Sequence, residues 1–268
     1  MRQNSIRLVA GLFFIGFLTS SAGQTNYQRL RSFGFAEALG SSPRTAPIEA
    51  SDGRLYGTTF WGRASVEDDG GGIFRVNKDG TGYRLLHQFG GGQEDARNLS
   101  SPIVEGTDGV LYGVTAFGGS NDLGTVFKLN KDGSGFAVLH NFTGTNGDGE
   151  TPQGAITEAH DGALYGTTLR GGEGGGGVVF RMNRDGTDYR VLNAFSLAGT
   201  NGYSPVGRVV DGSDGALYGT SAFGSQGAGT VFRLSFDGSA LAILHSFLGT
   251  DGRFPLELWR QATAACME

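Results

Sequence analysis

Short segments rich in β-branched and aromatic residues recur along the chain, each bounded by glycine or an Asp-Gly pair. The string LYG occurs four times, with its glycine at Gly57, Gly113, Gly166 and Gly219, so the spacings are 56, 53 and 53 residues. An Asp-Gly pair precedes each one, at Asp52, Asp108, Asp161 and Asp214. A second apolar segment follows: GIFRVN from Gly72, GTVFKLN from Gly124, GVVFRMN from Gly177 and GTVFRLS from Gly229. Another Asp-Gly pair comes next, at Asp79, Asp132, Asp185 and Asp237, and each unit closes on YRLLHQF, FAVLHNF, YRVLNAF or LAILHSF. A proline opens each unit, at Pro47, Pro102, Pro152 and Pro205, and Pro255 begins a fifth.

Every unit therefore predicts four short strands, a to d, with tight turns at Asp-Gly, where glycine takes positive φ freely and Asp tolerates it. Four-stranded units of roughly 40 to 55 residues are the sequence form of propeller blades. A solenoid repeats at a shorter period, and a sandwich rarely repeats its sequence. The fold class expected is all-β and β-propeller-like, with four complete blades at about 47–89, 102–142, 152–195 and 205–247. Residues 27–33, YQRLRSF, match only a strand d, and the chain after Pro255 reads LELWRQATAACME instead of reaching another LYG. Two readings follow: an incomplete fifth blade made from both chain ends, or a shortened product of a longer repeat protein.

Composition agrees with this count of turns. The 49 glycines in 268 residues are about 18% of the chain, against about 7% in ordinary proteins. No G-X-Y period accompanies them, which excludes collagen, and 38% hydrophobic residues can bury a core. At the N-terminus, Arg2 and Arg7 supply a positive region before the 11-residue apolar run Leu8–Leu18, with Ser20 and Ala22 at −3 and −1 of a cleavage site. That run is too short to span a bilayer, so residues 1–22 read as a cleaved secretory signal and 23–268 as one repeat domain. Cleavage takes the formal charge from −5 to −7. An acidic mature chain argues against nucleic acid or anionic lipid as partner. Cys266 is alone, which leaves no internal disulfide and no cysteine-based metal site. The expected product is secreted, monomeric and free of the membrane after cleavage.

The repeated strings resemble the GloVer tandem-repeat family of secreted bacterial proteins, whose signature runs DG-x-LYGTT, GG, GTVFKL, DG, LHSF. The resemblance covers about residues 25 to 255. It implies export and a propeller, and it brings no catalytic residues with it.

Antiparallel strands place the a–b and c–d turns on one face and the b–c and d–a loops on the other. The variable loops run about 59–71, 116–123, 169–176 and 222–228 (b–c), and 90–101, 143–151, 196–204 and 248–254 (d–a). Binding residues concentrate on variable loops held by a rigid scaffold, so the loop face is the candidate site. Its first b–c loop carries Trp61, Arg63, Glu67, Asp68 and Asp69, a stacking ring beside hydrogen-bonding groups, suited to a sugar. The plainer reading is a solvated loop with Trp61 folded onto a neighbouring blade. The pairs Glu67/Asp69 and Glu94/Asp95 fit a glycosidase acid and base only if they face each other across a cleft.

The segments Asn77–Gly80, Asn130–Gly133 and Asn183–Gly186 have calcium-loop composition, but hairpin turns account for them; Asn146–Glu150 is the best remaining calcium candidate. No other cofactor is expected. His87, His140 and His245 occupy one repeat station, with Asn193 as the fourth, and are expected to hydrogen-bond locally. Gly172–Gly177 satisfies G-x-G-x-x-G without a following helix, so no phosphate site is expected. The leading expectation is a non-enzymatic secreted scaffold or binding protein whose partner is an extracellular glycan or protein. A carbohydrate-binding or carbohydrate-active propeller is the alternative, and a truncated repeat fragment without independent activity is the second.

Overall fold

In the computed structural model the residues described are 42–61, 70–90, 96–224, 227–253 and 255. Each predicted unit folds as one antiparallel sheet in chain order. The first blade is β1 (Ile48–Glu49), β2 (Leu55–Thr59), β3 (Gly72–Val76) and β4 (Arg84–Gln88). The second is β5 (Val104–Glu105), β6 (Leu111–Thr115), β7 (Thr125–Leu129) and β8 (Ala137–Asn141). The third comprises β9 (Gly149–Pro152), β10 (Thr157–Glu158), β11 (Leu164–Gly171), β12 (Gly175–Met182) and β13 (Arg190–Ser196). The fourth comprises β14 (Tyr203–Pro205), β15 (Val210–Asp211), β16 (Ala216–Phe223), β17 (Thr230–Ser235) and β18 (Leu241–Ser246). The fold is all-β and β-propeller-like, as four consecutive blades. The fifth blade lies outside the described residues except for Pro255.

Strand a departs from expectation. In blades 3 and 4 it begins upstream of the proline, as β9 and β14, then breaks and resumes as β10 and β15 against the same strand b. The break follows a non-glycine residue in the left-handed region, Thr151 (φ 56) or Ser204 (φ 56), and Ser42 (φ 55) and Asn98 (φ 61) share that station. Pro152 and Pro205 therefore correspond to Leu99 and Pro43, while Pro102 and Pro47 stand nearer the resumed strand. The prolines mark strand a in every blade without holding one register.

The core lies between blades. One cluster joins Tyr56, Ile73 and Phe89 of blade 1 to Ile103, Leu111 and Phe127 of blade 2. The next joins Tyr112, Val126 and Phe142 to Ile156, Leu164 and Phe180, and the third joins Tyr165, Val179 and Phe195 to Val209, Leu217 and Phe232. Each blade thus gives one sheet face to its predecessor and the other to its successor. Rings meet across every seam: Phe89–Phe127, Phe142–Phe180 and Phe195–Phe232 lie 5.4, 5.4 and 5.3 Å apart.

The LYG glycine is demanded by strand c. Gly57 pairs with Phe74, Gly113 with Phe127, Gly166 with Phe180 and Gly219 with Phe232, and each ring lies over its glycine. A Cβ on Gly113 would stand 2.5 Å from Phe127 Cζ, and one on Gly57 2.6 Å from Phe74 Cζ, well inside van der Waals contact. The tyrosine beside it, buried in blades 1 to 3 and half-buried in blade 4, sends its hydroxyl to the Asp of the preceding Asp-Gly. Tyr56, Tyr112, Tyr165 and Tyr218 donate to Asp52, Asp108, Asp161 and Asp214 at 2.9, 2.8, 2.8 and 2.8 Å. Burial and the hydrogen bond to Asp161 push Tyr165 up to about 12, so the phenol stays protonated as a donor.

Neighbouring blades are also clasped by hydrogen bonds along the turn face. The last residue of strand a is a carboxylate, and the preceding blade's a–b turn donates to it. Ser51 donates N–H and Oγ–H to Glu105 (2.6 and 2.7 Å), and Thr107 donates N–H and Oγ1–H to Glu158 (2.7 Å each). His160 donates its N–H to Asp211 at 2.7 Å, with Nδ1 3.0 Å from the same oxygen. The c–d turn adds a cation: Lys131 to Glu105 (2.5 Å), Arg184 to Glu158 (3.4 Å) and, in the first blade, Lys78 to Glu49 (2.5 Å). In blade 4 that station is Phe236, and His160 takes the cation's place beside Asp211.

Close approach of Phe127 to Gly113 predicts strong coupling between them. Gly113→Ala alone should cost about 2–3 kcal/mol by overpacking, and Phe127→Ala about 3–5 kcal/mol. The double variant should cost at least about 1 kcal/mol less than the two together in urea unfolding. Additive costs would show that the ring does not exclude the methyl group.

Candidate binding face

The turn face is closed by its own hydrogen bonds. In the c–d turns Asp79, Asp132, Asp185 and Asp237 accept the N–H and hydroxyl of Thr81, Ser134, Thr187 and Ser239, all within 3.0 Å. Asn77, Asn130 and Asn183 donate their side-chain amides to Thr81, Ser134 and Thr187. These segments are hairpin turns whose polar groups point at each other. A recess of ≈ 480 Å³ also opens on this face, beside His160, Asp211 and Ser213, next to the third clasp.

The loop face is different. At the end of strand b, blades 1 to 4 place Trp61, Phe117, Arg170 and Phe223 at one repeat station. Trp61 is 44% exposed and meets Phe60 edge-on at 4.8 Å, while the Arg44 guanidinium lies 3.6 Å over the Phe60 ring. Phe117 is 40% exposed and bridges to Arg97. Arg97 in turn pairs with Asp122 at 2.5 Å, and that hydrogen bond, opposed by burial and aided by the Gly118 N–H, holds the Asp122 carboxyl below its ordinary range. Arg170 stands opposite Glu150, and Phe223 stacks on Tyr203 at 4.8 Å. In blades 2 to 4 the face thus carries one cross-strand pair of aromatic or charged residues, different each time. Phe117, Arg170 and Phe223 were not among the sequence-level candidates, yet alignment of FWG, AFG, LRG and AFG exposes the station. Of those candidates, Trp61 is on this face; Arg63, Glu67 and Asp69 lie outside the described residues, as do Asp68, Glu94 and Asp95.

A recess of ≈ 460 Å³ opens between the d–a loop of blade 2 and blade 3, lined by Asn146, Asp148, Glu173, Tyr189 and Asn193 among others. Asp148 turns inward and is saturated. One oxygen accepts from His140 Nε2 (3.2 Å), Thr143 N–H (2.9 Å) and Thr143 Oγ1–H (3.1 Å); the other accepts from Tyr189 O–H (2.5 Å) and Gly149 N–H (2.7 Å). With both oxygens held by protein donors, Asp148 is a loop anchor rather than the free ligand the Asn146–Glu150 calcium reading needs. Among the described residues, no three His, Cys, Asp or Glu side chains gather as a metal site. His140 also stacks on Tyr189 of the next blade at 3.6 Å, as His87 stacks on Phe136 at 3.9 Å. His245 pairs with Asp251 at 3.0 Å. The expected local hydrogen bonds of this station are present at His140 and His245, and the stacking across the seam is an addition to them. In blade 3 the station holds Asn193, whose Nδ2 is buried in the recess wall and meets no acceptor among the described residues.

Residues 43–265 match the Gloeobacter/Verrucomicrobia repeat. The chain belongs to this family. Among solved structures it is similar to a chain of the nidogen/laminin complex, at 17% identity and TM-score 0.51, covering 76% of this chain and 65% of that one. It is similar also to a protein of unknown function from Dyadobacter fermentans, at 13% identity and TM-score 0.51, covering 76% and 64%. A gluconolactonase from Xanthomonas campestris aligns at 17% identity and TM-score 0.48, covering 79% and 61%. This chain spans less than two thirds of the length of each. No curated protein matches it.

The Asp148 network fixes a pH dependence. Burial opposes ionisation, but hydrogen bonds from His140, Tyr189 and the Thr143 N–H win, and the carboxyl sits at about 2. An unfolded Asp titrates near 3.9, so the ionised network contributes stability above about pH 4 and loses it as pH falls toward 2. After allowance for solvent screening the loss is on the order of 1–2 kcal/mol. Asp148→Asn should lower the thermal midpoint at pH 7 and flatten its fall between pH 4 and 2; an unchanged acid slope would show that the network does not set it.

Proposed function

We propose that this protein is an exported, non-enzymatic repeat scaffold that binds an extracellular partner through the loop face. One contrast supports the reading: the turn face repeats the same Asp-centred c–d turn in every blade, whereas the loop face places Trp61, Phe117, Arg170 and Phe223 at one station, exposed in the first three blades and half-buried in the fourth. A rigid frame with a variable exposed ring is the arrangement of a binding module. The signal-like residues 1–22 support export, although they lie outside the described residues. No helix among the described residues is long and apolar enough to cross a membrane.

A glycan is the preferred ligand class. Exposed Trp61 and Phe117 offer flat apolar surfaces for sugar rings, and the buried Asn193 amide beside exposed Glu173 offers hydrogen-bonding partners for hydroxyls. Acid–base hydrolysis has less support, because Asp148, the loop-face carboxylate that lines the recess with its side chain 12% exposed, is fully engaged by the fold.

A glycan array probed with residues 23–268 tests the proposal. Binding should fall at least about tenfold in Trp61→Ala or Phe117→Ala, the equivalent of losing one stacking contact. Binding that both variants retain would remove the loop-face station from the site.

A further inference from the structure

Blade 4 presents a face built to be covered. In blades 1 to 3 the side that meets the next blade is sealed: Tyr56, Tyr112 and Tyr165 are 0–1% exposed, and Phe89, Phe142 and Phe195 are 0–2% exposed. In blade 4 the matching Tyr218, Val231 and Phe247 are only half-buried, and Leu244 is 53% exposed. Asp211 is the third-seam carboxylate, and among the described residues no fourth acceptor meets Ser213, which stands where Ser51, Thr107 and His160 donate.

Pro255 shows how the chain approaches that face. In blades 2 and 3 the pre-strand-c glycine takes the proline of the following blade against it: a Cβ on Gly124 would lie 2.5 Å from Pro152 Cδ, and one on Gly177 2.8 Å from Pro205 Cδ. Gly229 takes Pro255 in the same way, at 2.6 Å, and Thr220 Oγ1 donates to the Pro255 carbonyl at 3.4 Å. Pro255 therefore occupies the station from which strand a of a next blade starts.

The register beyond such a proline is constant. Four residues on stand Ile156 and Val209, each in one core cluster with the LYG tyrosine of the preceding blade, Tyr112 and Tyr165 respectively. Six residues on stand Glu158 and Asp211, the clasp acceptors. Counted from Pro255 these stations are Trp259 and Gln261, and the family match extends through both, to residue 265. We propose that Pro255–Gln261 docks on the open face of blade 4 as the inner strand of a fifth position. In that position Trp259 would cover Tyr218, and the Gln261 side-chain carbonyl would accept from Ser213.

Fluorescence reads this directly, because Trp61 and Trp259 are the only tryptophans. In the full chain carrying Trp61→Phe, emission should be blue-shifted and poorly quenched by acrylamide. Adding Tyr218→Ala should shift it to the red and raise the quenching at least about twofold, while circular dichroism keeps the β signature. Red, fully quenchable emission from the Trp61→Phe chain would overturn the proposal. Shielded emission that Tyr218→Ala leaves unmoved would also overturn it, since the indole would then be buried elsewhere. A second copy covering the face would show as quenching that increases on dilution, and that result too would count against the intramolecular strand.

Discussion

Face-to-face burial between neighbouring sheets is the interaction on which the rest of this molecule depends. Strands of two to eight residues make sheets too small to stabilise themselves, so each blade's apolar face must find the next blade's. The repeat is written for that seam. Glycine in LYG lets the strand-c phenylalanine lie flat on its own sheet, and the flattened ring then meets the phenylalanine that ends strand d of the blade before. The LYG tyrosine fills the other side of the seam while its hydroxyl stays satisfied on Asp. Polar residues are placed to close the seam at its edge: the clasp carboxylates of Glu105, Glu158 and Asp211 accept from the preceding blade's turn, and Glu105 and Glu158 also meet their own blade's cation.

That arrangement divides the molecule into a face committed to the fold and a face released from it. On the turn side, Asp-Gly turns, Asn–Ser/Thr bonds and clasps recur with little change through blades 1 to 3, each donor there meeting its acceptor. On the loop side, the station at the end of strand b lies outside the core clusters, and Trp61, Phe117, Arg170 and Phe223 belong to none of them. The His–Asp anchors sit between these regimes. His140 stacks across the seam through Tyr189 and, through Asp148, holds the loop beside the recess, whereas blade 3 replaces the histidine with Asn193 and the next blade's aromatic with Leu241.

Much of the fold is legible in the chain, because strands b and d and their Asp-Gly turns are local patterns repeated four times. The division into two faces follows from strand direction alone. The clasps are not legible in the same way: Ser51 and Glu105 are 54 residues apart, and neither is unusual in itself. The prolines mislead in register because Pro47 and Pro102 sit near strand a for a different local reason than Pro152 and Pro205; only the shared left-handed residue before the break reveals the true station. The candidate site was visible as a face and as Trp61, but its other members became apparent only when strand b set the alignment. The charged cluster Arg63, Glu67 and Asp69 belongs to a loop outside the described residues, so Trp61 stands for that reading alone.

Segment-resolved hydrogen exchange on the native chain tests most directly whether the seams hold the blades as one cooperative body. Strands b and c of blades 2 and 3, covered on both sides, should exchange slowest and together, with the clasp amides of Ser51, Thr107 and His160 protected alongside them. Blade 4's outer strand should exchange sooner. Clasp amides exchanging as fast as the outward Asp-Gly turn amides, with each blade opening at its own unrelated rate, would contradict the account.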